Sequence, residues 1–228
     1  MDSPSPAPPA SQPATVTSSR TYTRQPVRRP LGFLFHIVQT LVLTVVVYAA
    51  LQEFVAQPYR VVQGSMRDTL EDGQSILIDK LTPRFDPYRR GDIVVFRPPA
   101  RAAEPDDTPY IKRVIGVPGD RLEIRHGRVW VNDVPLDESD YVYDGEPTHA
   151  FDQRVTSWDV PPDSLFVLGD HRTNSADSRT ARIGFIPLDD VLGRAFLRYW
   201  PIGTLAVLDT PDYPQLTVGA GDASIEAP

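Results

Sequence analysis

The chain has 228 residues, a formal net charge of -7 and no cysteine. That length suits one domain of ordinary size with attachments. The missing cysteines exclude a thiol nucleophile, disulfides and thiolate metal sites. The acidic balance argues against nucleic acid as the main partner, because neutralising phosphates needs clustered Lys and Arg.

Residues 1–30 carry seven prolines and four arginines (Arg20, Arg24, Arg28 and Arg29) against one acid, Asp2. Such a segment buries too little apolar surface to offset its ordering entropy and reads as a disordered tail. Residues 31–51 carry no charge. At roughly 1.5 Å per residue they are long enough for the ~30 Å hydrocarbon core, so one transmembrane helix is expected. His36, Gln39, Thr40 and Thr44 dilute its apolarity without forbidding a helix. A cleaved signal peptide and a buried soluble helix are the alternatives. A signal h-region is usually only about 7–15 residues, which favours a permanent anchor. The arginines precede the span, so the positive-inside rule places the N-terminus in the cytoplasm and residues 52–209 outside the membrane.

The body reads as mainly β. Strands are expected at Tyr59–Gln63, Gln74–Asp79, Asp92–Phe96, Tyr110–Val117, Leu122–Arg125, Arg128–Asn132, Leu165–Leu168 and Val191–Tyr199, where apolar runs lie between Gly, Pro and Asp. His126-Gly127 reads as a tight hairpin turn. Pro98–Pro109 and Asp137–Pro162 read as polar, proline-rich surface loops. Residues 210–228 have the composition of a flexible tail.

Three segments carry chemistry. The first is Val62-Gln63-Gly64-Ser65-Met66-Arg67-Asp68-Thr69-Leu70. The second is Arg90-Gly91-Asp92-Ile93-Val94-Val95-Phe96 with Tyr110-Ile111-Lys112-Arg113-Val114-Ile115-Gly116-Val117-Pro118-Gly119-Asp120. The third is Gly169-Asp170-His171-Arg172-Thr173-Asn174-Ser175-Ala176-Asp177-Ser178-Arg179. Together they resemble the serine, Arg-Gly-Asp, lysine and Gly-Asp-Asn/His motifs of the type I signal peptidases, in the family's order and behind a membrane span. The resemblance runs from the span to about Pro201 and implies a β-rich Ser-Lys hydrolase body that removes signal peptides from exported preproteins.

The resemblance assigns roles position by position. Ser65 is the implied nucleophile, with its backbone N–H serving the oxyanion. Lys112 is the implied general base, and Ser175 is implied to orient its amine. Asp177, Ser178 and Arg179 form a structural group nearby. Val61, Gln63, Met66, Leu70 and Ile111 are implied to contact substrate, in pockets narrow enough to prefer Ala or Gly. The substrate would add as a strand beside Val61–Ser65. The implied partners are signal peptides, the lipid bilayer of the plasma membrane and the export translocon. No cofactor is implied.

Elementary chemistry agrees with these roles. A serine hydroxyl is a weak nucleophile until a base takes its proton. A lysine serves as that base only when neutral, and its free pKa of about 10.4 forbids this near pH 7. Burial lowers it. On a strand Lys112 alternates with Ile111 and is expected to face an apolar interior, with Arg113 pointing to solvent or to an acid. His171 reads as plain surface rather than a member of a Ser-His-Asp triad. Asp92, Asp120 and Asp170 each follow Gly in a turn and read as backbone-binding residues rather than metal ligands.

Two positions depart from the family pattern. Asp68 stands where a proline is usual. The run Asp68-Thr69-Leu70-Glu71 has capping-box spacing, so Asp68 is expected to cap a turn and Asp68→Pro to be tolerated. Gln63 stands where some members have a serine that assists the oxyanion. Its side-chain amide is a possible replacement donor, and the backbone alone is the other possibility. These departures leave open a non-catalytic, membrane-anchored paralogue that binds signal peptides. A self-cleaving repressor-type protease would instead carry a DNA-binding domain.

Overall fold

A computed structural model describes residues 30–102 and 108–218. The expected tail over residues 1–29, the middle of the loop at 103–107 and the end of the chain at 219–228 lie outside the described residues.

Helix α1 spans Pro30–Phe54, one residue before the expected span and three after it. Its stretch Gly32–Phe54 is long and apolar enough to cross a membrane. The polar residues are accommodated locally. Thr40 Oγ1 donates to the His36 carbonyl at 2.8 Å and Thr44 Oγ1 to the Thr40 carbonyl at 2.9 Å. These bonds remove the hydroxyls' demand for water.

The body is built on strands β1 (Ala56–Arg60), β2 (Ser75–Asp79), β3 (Ile93–Phe96), β4 (Tyr110–Gly116), β5 (Arg121–Arg125), β6 (Arg128–Val131), β7 (Val134–Pro135), β8 (Ser157–Asp159), β9 (Ser164–Leu168), β10 (Ile186–Pro187), β11 (Val191–Trp200) and β12 (Ala206–Val207). The larger sheet runs β1-β2-β11-β3-β4-β9-β10, with β12 also on β11, and the smaller runs β7-β6-β5-β8. Every described pairing is antiparallel.

The mainly β expectation therefore holds, with local differences. The first strand lies three residues earlier than expected and pairs Ala56–Arg60 with Asp79–Ser75. Short strands β7, β8, β10 and β12 carry too few residues to show an alternating pattern. The hairpin turn is as expected: Arg125 pairs with Arg128, and His126 and Gly127 both take positive φ, 54° and 74°.

β3 reads Ile-Val-Val-Phe with every residue buried. Ile93 and Val95 join one core cluster with Val61, Met66, Leu70 and Ile111, whereas Val94 and Phe96 join another with Val114, Leu165 and Val167. Period-2 alternation thus feeds two cores from one strand, which explains an apolar run without polar interruption. A third cluster, around Leu122, Val131 and Phe166, fills the smaller sheet.

Two expected loose segments are packed instead. In the 137–162 loop, Tyr141, Thr148, Ala150 and Val160 are buried and Ser157–Asp159 forms β8. At the start of the expected C-terminal tail, Thr210 Oγ1 donates to Asp92 at 2.7 Å. Tyr213 and Leu216 pack on the third cluster, and Pro214–Val218 forms the short helix α2. A few apolar side chains hold each segment down despite a polar, proline-rich composition.

Candidate active site

Strand β4 and the loop after β1 carry the two reactive groups to one place. Lys112 Nζ lies 2.6 Å from Ser65 Oγ and donates to the Ile111 carbonyl at 2.9 Å. Lys112 is 4% exposed and Ser65 7%. Burial pushes the Lys112 ammonium down to about 8, although the carboxylates of Asp177 and Asp170 work in the opposite direction. A large fraction is therefore neutral near that pH, and a neutral amine can accept the Ser65 proton.

Arg113, next along β4, is 2% exposed and faces an acid rather than solvent. Its Nε and Nη2 donate to the two Asp170 carboxylate oxygens at 2.9 and 2.8 Å, and Nη1 donates to the Gly91 carbonyl at 2.8 Å. Thr69 Oγ1 donates to Asp170 at 2.6 Å, which ties the segment after Ser65 into the same network. The Tyr141 ring lies 4.2 Å from the guanidinium. Burial opposes the Arg113 charge, but Asp170 outweighs it and holds the group above its ordinary value.

Asp177 and Arg179 pair through two bonds, at 2.8 and 2.7 Å, and Asp177 also accepts from the Gly169 N–H at 3.2 Å. Ser178 Oγ accepts from the Val167 N–H at 2.9 Å. These bonds fix the 169–179 loop against β9. Ser175 comes with it. Gly169 must lack a side chain here, because a Cβ would stand 2.6 Å from the Ser65 carbonyl oxygen and would also collide with Ser175. Ser175 Oγ is buried and has no hydrogen-bond partner among the described residues. The bond to the Lys112 amine implied by the resemblance is thus not made in this arrangement.

A cavity of about 140 Å³ opens beside the pair, lined by Val62, Gln63, Ser65, Thr108, Pro109, Tyr110, Ile111 and Lys112. Of the expected substrate contacts, Gln63 and Ile111 lie in its wall. Val61, Met66 and Leu70 do not; they pack with Ile111 in the core beneath. Val62, Thr108, Pro109 and Tyr110 were missed. Their only signal was closeness in sequence to residues that the family resemblance had placed at the pocket, Val61 among them.

The exposed edge differs as well. The Val61 N–H donates to Gln74 and its carbonyl accepts from Gly73, so Val61 is already paired. The Gln63 N–H donates to Asp72 at 3.0 Å. Val62 N–H and C=O, which point the other way in an extended chain, have no backbone partner among the described residues.

Asp68 does not cap. It takes φ 75° and is exposed, and no hydrogen bond of its carboxylate is found among the described residues. The Glu71 N–H is taken by Gln74 Oε1 at 3.0 Å instead. A proline cannot adopt positive φ, so the expected tolerance of Asp68→Pro is withdrawn.

His171 is not plain surface. Its side chain is 14% exposed and its Nε2 lies 3.4 Å from Glu146 Oε1. Asp92 accepts from the Arg89 N–H, and Asp120 accepts from the Val117 N–H and the Asn132 amide. Both carboxylates therefore face donors within the protein.

Comparison with known proteins fits this site. The model of the signal peptidase family, peptidase S26, matches residues 34–200. Signal peptidase I of Leptolyngbya laminosa is 36% identical over 92% of this chain and 96% of that protein. Signal peptidase I of Bacillus caldolyticus is 39% identical over 71% of this chain and 89% of that protein. A crystal structure of a signal peptidase I from Enterococcus faecalis V583 is 30% identical, with TM-score 0.37, over 47% of this chain and 95% of that one. The chain belongs to the peptidase S26 family of signal peptidases and is a signal peptidase I-type enzyme.

Proposed function

We propose that the chain is a membrane-anchored serine endopeptidase that removes N-terminal signal peptides from exported preproteins. The observation that carries this reading is the buried Lys112 amine 2.6 Å from Ser65 Oγ at the wall of an open cavity. Ser65 attacks the scissile carbonyl while neutral Lys112 takes its proton. The acyl-enzyme forms as the peptide C–N bond breaks, and the lysine ammonium returns the proton to the leaving amine. Water then attacks the ester with Lys112 again as base. Among the described residues nothing accepts from the Ser65 N–H, which leaves it available to the oxyanion. A neutral lysine amine has two N–H groups. One already meets the Ile111 carbonyl, and the unpartnered Ser175 Oγ is the natural acceptor for the other.

The substrate adds as an extended strand at Val62, whose backbone groups have no backbone partner among the described residues. The side chain before the cut enters the cavity beside the pair, and the resemblance to the signal peptidases, rather than the cavity's volume, points to Ala or Gly there. Helix α1 anchors the enzyme, with the arginine-rich segment in the cytoplasm and the body outside the plasma membrane, near the export translocon that delivers its substrates. The full chain in detergent micelles, incubated with a preprotein ending its signal in Ala-x-Ala, should release the mature protein. The same preprotein with Phe before the cut should not be processed. Cleavage that persists in Ser65→Ala would overturn the assignment.

A further inference from the structure

We propose that His171 is a positioning residue for the reaction: its imidazole holds the Gly64–Ser65 peptide plane so that the Ser65 N–H faces the developing oxyanion. The inference rests on Ser65 being the nucleophile.

Two atoms of His171 grip adjacent carbonyls. Its backbone N–H donates to the Ser65 carbonyl at 3.0 Å. Its ring Nδ1 lies 3.2 Å from the Gly64 carbonyl oxygen. A carbonyl only accepts, so Nδ1 must carry the proton. The Gly64 carbonyl and the Ser65 N–H belong to one peptide unit. In a planar trans peptide they point in opposite directions, so holding the oxygen aims the N–H. A donor on the oxygen also polarises the peptide and strengthens the N–H as a donor at its other end.

The ring is itself held. The Tyr143 ring packs 4.5 Å from it, and in the doubly protonated imidazole the Nε2–H also points at Glu146 Oε1, 3.4 Å away. Glu146 is fixed by the Thr173 N–H at 3.1 Å and the Thr173 hydroxyl at 2.6 Å. Burial opposes the Glu146 charge, but the Thr173 bonds and the nearby His171 keep the carboxyl below its ordinary value. The 137–162 loop thus reaches the nucleophile through one imidazole. The Gly64 carbonyl also accepts from the Arg67 N–H at 3.2 Å, so losing the ring loosens the peptide rather than freeing it.

The test compares His171→Phe, which keeps the ring packing without a donor, with His171→Asn, whose side-chain amide can replace Nδ1. Steady-state cleavage of an Ala-x-Ala preprotein by the full chain is the readout, with melting temperature as the control for folding. Deleting an oxyanion donor costs about 10²–10³ in turnover, and a loosened donor should cost less. His171→Phe should therefore lower kcat by roughly tenfold with KM nearly unchanged, and His171→Asn should return kcat to within about threefold of wild type. Wild-type kcat in His171→Phe, or no recovery in His171→Asn, overturns the role. Should His171→Phe fail to fold, Glu146→Gln carries the test, with a smaller fall in kcat at constant KM expected and an unchanged kcat overturning it. Ser65→Ala runs alongside. An inert Ser65→Ala with an unaffected His171→Phe refutes only the positioning role, whereas an active Ser65→Ala refutes the nucleophile itself.

Discussion

The two faces of β4 each bury a cation and treat it oppositely. Lys112 and Arg113 are neighbours, and both are almost wholly inside the protein. Arg113 meets Asp170 through two bonds and stays charged. Lys112 donates to a hydroxyl and a carbonyl, with no carboxylate in hydrogen-bond contact among the described residues, and its ammonium is pushed down to about 8. Desolvation acts on both, and pairing decides the outcome. One cation becomes a scaffold and the other a base.

The most severe way to break this contrast is to remove the base. Lys112→Met should keep the fold and lower turnover by at least about 10³-fold, near the upper range of general-base contributions. Lys112→Arg should fail as badly, because a guanidinium does not deprotonate at working pH. Preprotein cleavage checked against circular dichroism decides this.

Breaking the scaffold should act on stability first. Asp170→Ala leaves the Arg113 guanidinium buried and unpaired and should cost about 3–5 kcal/mol in denaturant unfolding. Removing both charges together, in Arg113→Met/Asp170→Leu, should recover much of that loss. If the double variant is no better than the single one, the charge is not what the pair protects.

The pH dependence sharpens the same contrast. Turnover should rise with pH and reach half its maximum near pH 8, where Lys112 loses its proton. Stability should move the same way. The ordinary lysine value is 10.5, so between about 8 and 10.5 the unfolded chain holds a proton that the folded chain has released. Over that window the wild type should gain stability relative to Lys112→Met, on the order of 3 kcal/mol if the whole window is covered. A difference that stays flat between pH 7 and 10 would mean that the amine is not desolvated.

The smallest effect lies beside both faces, in the turn carrying Ser65. Asp68 at φ 75° tolerates Gly and disfavours Pro. Asp68→Pro should destabilise by more than about 1 kcal/mol, and Asp68→Gly should be nearly neutral or slightly stabilising. Equal melting temperatures for the two variants would mean that the turn readjusts.

Much of this was legible in the chain. The uncharged run at 31–51, the strand cores and the His126-Gly127 turn follow from local patterns, because alternation, turn chemistry and span length are short-range properties, whereas the roles of Ser65, Lys112 and Ser175 came from the resemblance of their segments to family motifs. Contacts between distant segments were not legible. Ser65 and Lys112 are 47 residues apart. Whether Lys112 is desolvated depends on every element packed around it, not on its neighbours in sequence. The same reason hid the choice of Val62 over Val61 at the cavity wall, the positive φ at Asp68, the unpartnered Ser175 hydroxyl and the hold of His171 on Gly64. A sequence sets which groups are present and how each strand alternates. Which carbonyl, carboxylate or hydroxyl each group finally meets is set by tertiary packing, because burial and pairing sum over residues that only the fold brings together.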